Sequence, residues 1–388
     1  MAVPLRRTPR FQRPRPRRWI PIALLVVLSP AIYSWTRMAV MPSSLPLGVR
    51  TVEWLRTNHF NWLVDESERF YYTWKAPKKG GPQLKTLPTV GSGARSAKPK
   101  RQAERRPTWP ARIKPVFAQP LPGEGVWRPA GPALDGKPAV LVTTFRTERD
   151  YPRIVAYAAW FDNTRTELAY YPGRYEPPHA TLRGPTEIPH DQRWRLLATF
   201  NSGFIYQDGL NGDALNGHVN EPLKQGLATF VAYKDGRVDV VRWNGGPAPG
   251  PAIAWARQSL PLIIEHGRLS PKLNDSTAWG YTLGNAVRVW RTGVGVDRRG
   301  NIIYAAADYQ TVTTLARILQ RAGAVRAMQL DINPEWPTLI TYRHHNGLLP
   351  TRVVPNYQQP ATRYLVPDDR DFFAVYRRLP GAVGVPLR

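Results

Sequence analysis

The sequence predicts an α+β fold with mainly antiparallel sheets and few helices, preceded by one N-terminal transmembrane helix. Many short segments alternate apolar and polar residues and are bounded by turn residues, which is typical of strands. Only one strong helical pattern, TTLARILQRAGA, interrupts these strands. A long uncharged apolar stretch stands alone near the N-terminus. Many strands with few helices favour a domain built on antiparallel sheets.

The N-terminal helix is predicted from an arginine-rich arm, residues 1–18, followed by the uncharged stretch WIPIALLVVLSPAIYSW. A membrane-spanning helix needs about 20 mostly apolar residues, and tryptophans commonly flank it. The positive-inside rule places the arm in the cytoplasm and everything after the helix, at 19–40, outside it. A cleavable signal peptide is the alternative, but no clean small-x-small site follows the stretch. The expected location is therefore the cell membrane, with a single pass.

The distribution of charge argues against nucleic acid as a partner. The formal net charge is +26. Residues 1–118 hold 23 Lys and Arg against 5 Asp and Glu, whereas the remainder holds 31 against 23. Because the arginine run adjoins the apolar stretch, we interpret it as a topology signal. The chain has no cysteine, which excludes disulfides, thiol catalysis and thiolate metal sites.

Three segments follow the predicted membrane helix. Apolar residues recur at helical spacing across 41–75, which predicts a juxtamembrane amphipathic segment at the outer membrane face. Residues 76–112 are rich in Pro, Lys and Gly, and we expect a solvated linker because this composition does not bury a core. Residues 113–388 are expected to form the extracytoplasmic domain.

Turn and cap residues predict the main elements of that domain. The stretch GLATFVAYKDGRVDVVRW predicts a hairpin with a two-residue turn at Asp235-Gly236. The stretch RVWRTGVGVDRRGNIIYAAAD predicts a second hairpin that turns at 298–300. The helical pattern has Thr311 or Thr313 as its N-cap and ends at Gly323. AMQLDIN and DFFAVYRR are the last predicted strands.

Polar residues cluster in three loops where a predicted strand ends near glycine. The first loop carries Asn201, Ser202, Asp208, Asp213, His218, Asn220 and Glu221; the second Arg291 and Thr292, then Asp308; the third Asp331, Asn333 and Glu335. Strand-end loops present binding groups, but Asn and Asp also cap such loops without any chemical role. Each residue alone fits either interpretation.

Taken in order, these motifs resemble the phosphodiester glycosidase family. In that family an Arg-Thr pair opens a hairpin, an Asp ends its second strand, a Leu-Ala pair lies on the next helix, and a strand closes on Asp-Gly-Gly. The matching residues are Arg291, Thr292, Asp308, Leu315, Ala316 and Asp331, with Asn201–Phe204 matching the upstream Asn-Gly-Gly-Phe. The resemblance spans roughly 196–376. Ile332 replaces a family glycine and reshapes that loop, since glycine alone permits close backbone approach.

The resemblance implies hydrolysis of a sugar-1-phosphodiester. Such chemistry uses carboxylates near the anomeric carbon and a cation on the phosphate. Asp308 and Asp331 are the expected acid and base. The expected substrate-binding residues are Arg291, Thr292, Asn201, Asn333 and His218. No cofactor is certain: Asp308, Asp331 and Asn333 offer the oxygen ligands that Ca²⁺ or Mg²⁺ prefers, but without a diagnostic spacing.

Two partners are expected: the membrane, and a carbohydrate or sugar-phosphate polymer. The linkage that is cleaved would belong to an envelope polymer or exopolysaccharide. Two non-catalytic alternatives stay open. In the first alternative, the domain is a module that binds envelope polysaccharide on its Trp and Tyr side chains. In the second, the protein is a scaffold that binds anionic polymer through the basic linker. The sequence has no Ser-centred elbow, phosphate loop or HExxH motif, which argues against esterases, NTPases and zincins.

Overall fold

The computed structural model describes residues 19–41, 45–90, 109–209, 211–275, 278–279, 288–356 and 358–379. The predicted arm at 1–18 lies outside these residues. The chain divides into two compact units. The first is Met1–Pro42 with Pro46–Asn61, and the second is Ser43–Leu45 with Trp62–Arg388.

The first unit contains two helices, α1 (Trp19–Val40) and α2 (Leu47–Thr57). Within α1, the segment Pro21–Val40 is long and apolar enough to cross a membrane, and it is exposed. Its length, its composition and its place near the N-terminus fit a membrane anchor and a signal sequence alike.

The second unit contains three further helices and all the strands of the described residues. The helices are α3 (Asn61–Trp74), α4 (Tyr206–Gly209) and α5 (Val312–Ala322). The strands are β1 (Arg128–Pro129), β2 (Ala133–Leu134), β3 (Lys137–Pro138), β4 (Val140–Arg146), β5 (Val155–Phe161), β6 (Thr166–Tyr171), β7 (Leu196–Asn201), β8 (Asp213–Leu215), β9 (His218–Glu221), β10 (Ala228–Tyr233), β11 (Val238–Arg242), β12 (Ile253–Gln258), β13 (Leu262–Glu265), β14 (Arg268–Leu269), β15 (Val289–Val296), β16 (Ile302–Gln310), β17 (Arg326–Gln329), β18 (Leu339–His344), β19 (Leu348–Arg352) and β20 (Phe372–Arg377). Short 3₁₀ turns lie at His190–Arg195, Pro271–Asn274 and Arg363–Leu365.

Three large sheets organise the strands. An eight-stranded sheet has the order β1-β4-β5-β16-β15-β17-β13-β14; two five-stranded sheets have the orders β11-β10-β12-β8-β9 and β19-β18-β7-β20-β6; and β2 pairs with β3. Every pairing between these strands is antiparallel. The predicted α+β class, with antiparallel sheets, few helices and an apolar N-terminal helix, is therefore confirmed.

The two faces of the eight-stranded sheet support separate cores. One face packs against both five-stranded sheets, through side chains such as Val294, Phe200 and Phe230. The other face is covered by α5, whose residues Leu315 and Leu319 join the second core. Burial of these apolar faces is the main driving force for the fold.

The predicted caps and turns of the domain are largely present. A capping box between Thr311 and Thr314 begins α5, and Gly323 ends it at a φ of 107°. The loop 298–300 closes the β15–β16 hairpin as predicted, with the Gly300 amide donating to the Asp297 carbonyl. The β10–β11 turn is different from the prediction, because the Tyr233 amide bonds to the Arg237 carbonyl. That pairing leaves a three-residue loop, with Gly236 at a φ of 84°.

Residues 62–90 lie on the globular unit. Val64 and Tyr72 of α3 are buried. Beyond α3, the Gly80 amide donates to the Asp150 carbonyl at 2.8 Å, and Arg146 donates to the Gln83 side chain at 3.0 Å. Leu84, Leu87 and Val90 pack against the core between the sheets. The described part of the expected linker is therefore held by the domain, because its few apolar side chains find apolar contacts there.

Candidate functional site

The family-like motifs meet where β7, β15 and β17 end. The Asn201 side-chain amide donates to the Thr292 hydroxyl at 3.0 Å, and that hydroxyl donates to the Asp331 carbonyl at 2.7 Å. The Asp331 amide in turn donates to the Ser202 carbonyl at 3.1 Å. Because all these groups are buried, each hydrogen bond avoids the cost of an unsatisfied polar atom. Segments far apart in the chain are thus joined at one point.

The side-chain oxygen of Asn201 is hydrogen-bonded as well. Its side-chain oxygen accepts from the Tyr304 hydroxyl at 2.8 Å and from the Thr338 amide at 3.1 Å. With donors and acceptors both engaged, this asparagine fixes the geometry of the strand ends. Its observed role is to position the Asp331 loop, and the predicted contact with substrate stays a prediction.

The Asp331 carboxylate faces a cation and an aromatic ring. One oxygen pairs with Arg370 at 2.5 Å, and the other accepts from the Asn333 amide at 3.0 Å. The Arg370 guanidinium lies over the Trp336 ring, 4.6 Å from its centroid. The Asn333 backbone amide therefore supports the turn that carries Asp331, and the Asn333 side-chain oxygen accepts from the Glu335 amide at 3.2 Å.

A second charged cluster adjoins this pair, and the sequence analysis did not predict it as a site. Arg257 on β12 donates to Asp371 at 2.7 Å and to the Phe204 carbonyl at 2.7 Å. Glu176 lies 3.9 Å from Arg257 and accepts from the Tyr206 amide at 2.6 Å. The Tyr170 hydroxyl also donates to Asp371, at 3.1 Å. All these side chains are buried, so their charges interact strongly.

Burial sets the proton affinity of two carboxyls in this cluster. It raises the pKa of Glu176 to about 8, although the charges of Arg370 and Arg257 oppose the shift. It also raises the pKa of Asp213 to about 6, again against the charge of Arg257. The influence of Arg370 on Glu176 shows that the cluster and the Asp331 pair share one electrostatic environment. Burial therefore favours the protonated form of Glu176.

Several buried polar atoms around this cluster have no hydrogen-bond partner among the described residues. They are Ser202 Oγ, Asn211 Oδ1, Asp213 Oδ2, Ser259 Oγ, Asn333 Nδ2 and Asp371 Oδ1. Buried polar atoms are rarely left unsatisfied, and functional sites are a common exception. A Cβ added at Gly203 would come within 3.4 Å of Ser259, so the backbone approaches closely here.

Arg291 lies on the other face of β15 from Thr292. Successive strand residues point to opposite faces, so only one of the two faces Asn201. Arg291 donates to the Gln310 carbonyl at 3.0 Å and to the Gln329 side chain at 2.6 Å. Burial lowers the pKa of Arg291 to about 9. No described hydrogen bond or ion pair joins it to Asp331.

Among the described residues, no hydrogen bond or ion pair joins Asp308 or His218 to the Asp331 carboxylate. Asp308 accepts from the Tyr309 amide at 2.7 Å, at a point where Tyr309 has a positive φ. Burial raises the pKa of Asp308 to about 6. His218 is exposed and contacts the Thr181 hydroxyl at 2.5 Å. The structure thus brings together Asn201, Thr292, Asp331 and Asn333 from the predicted set, and it shows no bond from these four to Asp308 or His218 within the described residues.

The cation set predicted from Asp308, Asp331 and Asn333 stays a prediction. Each Asp331 oxygen accepts a hydrogen bond, one from Arg370 and the other from the Asn333 backbone amide. Within the residues that the structure describes, no group of three or more His, Asp and Glu side chains is placed to hold a metal ion.

Three solved structures are similar to this chain at low sequence identity. The chain is similar to the zebrafish N-acetylglucosamine-1-phosphodiester alpha-N-acetylglucosaminidase catalytic domain auto-inhibited by pro-peptide, at 16% identity and a TM-score of 0.42, over 76% of this chain and 97% of that one. It is also similar to a hypothetical protein from Synechocystis, at 13% identity and a TM-score of 0.39, over 65% of this chain and 64% of that one. The third is a putative exported protein from Burkholderia pseudomallei, at 11% identity and a TM-score of 0.32, over 57% of this chain and 74% of that one.

The sequence comparison is more specific. No curated protein matches the chain in sequence. Residues 195–331, however, match the model of the phosphodiester glycosidase family. This segment begins where the predicted resemblance begins and ends on Asp331, short of the predicted position 376. The match supports a hydrolase-like function, and over residues 195–331 it confirms the resemblance to the phosphodiester glycosidases that the motifs predict.

Proposed function

We propose that this protein is a membrane-anchored extracytoplasmic hydrolase that cleaves a sugar-1-phosphodiester linkage in an envelope polymer or exopolysaccharide. One observation carries the proposal: Asp331, the last residue of the family segment, pairs with Arg370 at 2.5 Å. Near this pair, burial raises the pKa of Glu176 and favours its protonated form. An acid, a carboxylate and a cation are what the reaction requires.

The two carboxyl groups suit different roles. Glycoside hydrolysis commonly uses one protonated and one ionised carboxyl on either side of the scissile bond. Glu176, with a pKa of about 8, is the proton donor in this proposal. Asp331, paired with Arg370, supplies the carboxylate that activates water or attacks the anomeric carbon.

Arginine is the natural partner for the phosphate group. A guanidinium binds phosphate oxygens through two parallel hydrogen bonds, which a lysine does not do. Arg370 contacts Asp331 directly, whereas Arg291 lies on the other face of β15. We therefore assign phosphate recognition to Arg370 in preference to Arg291. Trp336, under the Arg370 guanidinium, keeps that group in place.

Release of free sugar from a panel of sugar-1-phosphodiesters tests the proposal. The full chain is the right sample, because residues 62–90 pack on the domain and truncation there would remove the Gln83 contact with Arg146. We expect turnover of at least one α- or β-linked substrate. Binding of envelope polysaccharide without turnover of any substrate would contradict the proposal and favour the non-catalytic module.

The Glu176 carboxyl also predicts a dependence of stability on pH. Its folded-state pKa of about 8 lies above the ordinary value of 4.5. The stability it contributes is therefore fully present below about pH 4.5 and is lost as pH rises through about 8. Asp213, with a pKa of about 6, acts in the same direction at lower pH. The range from about pH 6.5 to 8.5 therefore isolates Glu176.

Thermal unfolding across that range is the measurement. The Tm of the wild-type chain is expected to fall as pH rises, and Glu176→Gln is expected to flatten this slope. Glu167→Gln is the control, because Glu167 pairs with Arg195 at 2.8 Å and leaves Glu176 in place. Parallel slopes in the wild type and in Glu176→Gln would show that Glu176 does not hold its proton in the folded chain.

A further inference from the structure

Helix α3 exposes a stripe of large apolar side chains. Leu63, Phe70 and Trp74 follow one another at spacings of seven and four, which places them on one face of a helix. Phe70 is 73% exposed and Trp74 is 74% exposed. Trp62, at the start of the helix, is 67% exposed beside them. Exposed apolar residues are normal when scattered, but a contiguous group marks an interaction surface.

The opposite face of α3 is already occupied. Val64 and Tyr72 are buried, and Tyr72 belongs to the core that α5 covers. Burial raises the pKa of Tyr72, and the charges of Glu68, Glu335 and Asp308 raise it further. Tyr72 also shares its core with Ile332, the residue after Asp331. The exposed stripe therefore points away from the domain, and turning it inward would uncover Val64 and Tyr72.

The residue types of the stripe fit the lipid–water boundary. Tryptophan and other aromatic side chains are enriched at that boundary, where an apolar ring lies beside polar headgroups. Glu66, also on the exposed side, pairs with Arg69, so polar groups border the aromatic ones. Such a helix lies in the plane of the interface and does not span the membrane. The apolar segment of α1 ends at Val40, 21 residues before α3 begins at Asn61, so the same bilayer is within reach of the chain.

We propose that α3 docks on the surface of a lipid bilayer through Trp62, Leu63, Phe70 and Trp74. The proposal rests on the membrane anchoring in the proposed function. Since Tyr72 lies on the reverse face and shares its core with Ile332, docking holds the domain that carries the Asp331 loop at the membrane surface. The domain then binds its sugar phosphodiester close to the bilayer surface, and not at the end of a long spacer.

Site-directed spin labelling tests this docking without interference from native thiols, because the chain has no cysteine. Phe70→Cys is labelled in the full chain, reconstituted in phosphatidylcholine vesicles. Trp194→Cys is the matched control, since Trp194 is another exposed aromatic residue, 58% exposed, distant in sequence from α3. Collision of the label with oxygen and with a water-soluble nickel chelate is then measured for both variants.

We expect the label at position 70 to be protected from the nickel chelate and accessible to oxygen, and the label at position 194 to behave as in water. Equal nickel access at both positions, in chains that float with the vesicles, would overturn the docking of α3. Failure of the chain to float would overturn the anchoring and the docking together. Neither readout depends on turnover, so a negative sugar-release assay would leave this test intact.

Discussion

Asp331→Asn is expected to lower the rate of sugar release by about 10²–10⁴-fold, the range that a positioned acid or base contributes. Asparagine keeps the size of the side chain and still accepts from the Asn333 amide, but it carries no negative charge. The carboxylate that faces Arg370 at 2.5 Å would be lost, and with it the group proposed to act at the anomeric carbon. The effect should appear in kcat more than in KM, because the charge acts in the transition state.

Asp162→Asn is a closely matched control for this substitution. Asp162 is 6% exposed and Asp331 is 5% exposed. Each pairs with an arginine, Arg165 or Arg370, and each accepts from the amide two residues later, at 3.0 Å. Both variants should lose similar stability in urea, while Asp162→Asn keeps the wild-type rate. If both variants lost activity equally, the loss would follow from destabilisation, and Asp331 would not be catalytic.

The meeting of Asn201, Thr292 and Asp331 was predictable because each ends or begins a strand of recognisable pattern. β15 and β17 are paired in the eight-stranded sheet, whereas β7 belongs to a five-stranded sheet that packs against it. The ordered motifs, and not strand pairing, predicted that these segments meet. The hydrogen bonds from Asn201 to Thr292, and from Thr292 to Asp331, show that they do.

The side of the sheet that Arg291 and Thr292 each face could not be predicted from the sequence. Sequence spacing identified the pair, but only one of two successive strand residues faces a given side. Which one depends on the register of β15 against its neighbours. Gly293, which shares a face with Arg291, lies so close to Leu319 of α5 that an added Cβ would come within 2.8 Å. The helix thus determines which face Arg291 occupies.

The second charged cluster was hidden because its members lie in unrelated segments. Arg257 stands in the strand IAWARQ, and a lone charge in an otherwise apolar strand was a usable signal. Asp371 begins the strand DFFAVYR directly after other charged residues, which made it look like a turn. Glu176 precedes two prolines and gave no signal at all. Their long-range pairing depends on how the two five-stranded sheets and the loop that carries Glu176 pack together, which local patterns do not encode.

Arg257→Met is expected to reduce the free energy of unfolding by about 3–5 kcal/mol, because it leaves a buried charge without its partner. Asp371 would lose its hydrogen bond from the Arg257 guanidinium, and the Phe204 and Gln258 carbonyls would lose donors at 2.7 Å. Urea denaturation measures the loss. Adding Asp371→Leu to this variant should restore part of the stability, since the unpaired charge is then removed.

Arg146→Met is the control that separates the contribution of Arg257 to protein stability from its role at the site. Arg146 is equally buried and pairs with Glu124 at 2.8 Å, outside the Glu176 cluster. It should cost comparable stability, yet sugar release by the folded chain should stay close to wild type. The Arg257→Met, Asp371→Leu double variant should instead release sugar more slowly than the wild type although part of its stability is restored, because the contacts of this cluster with the Phe204 carbonyl and the Tyr170 hydroxyl are lost. Recovery of activity in the double variant would assign Arg257 and Asp371 to the scaffold and remove them from the site.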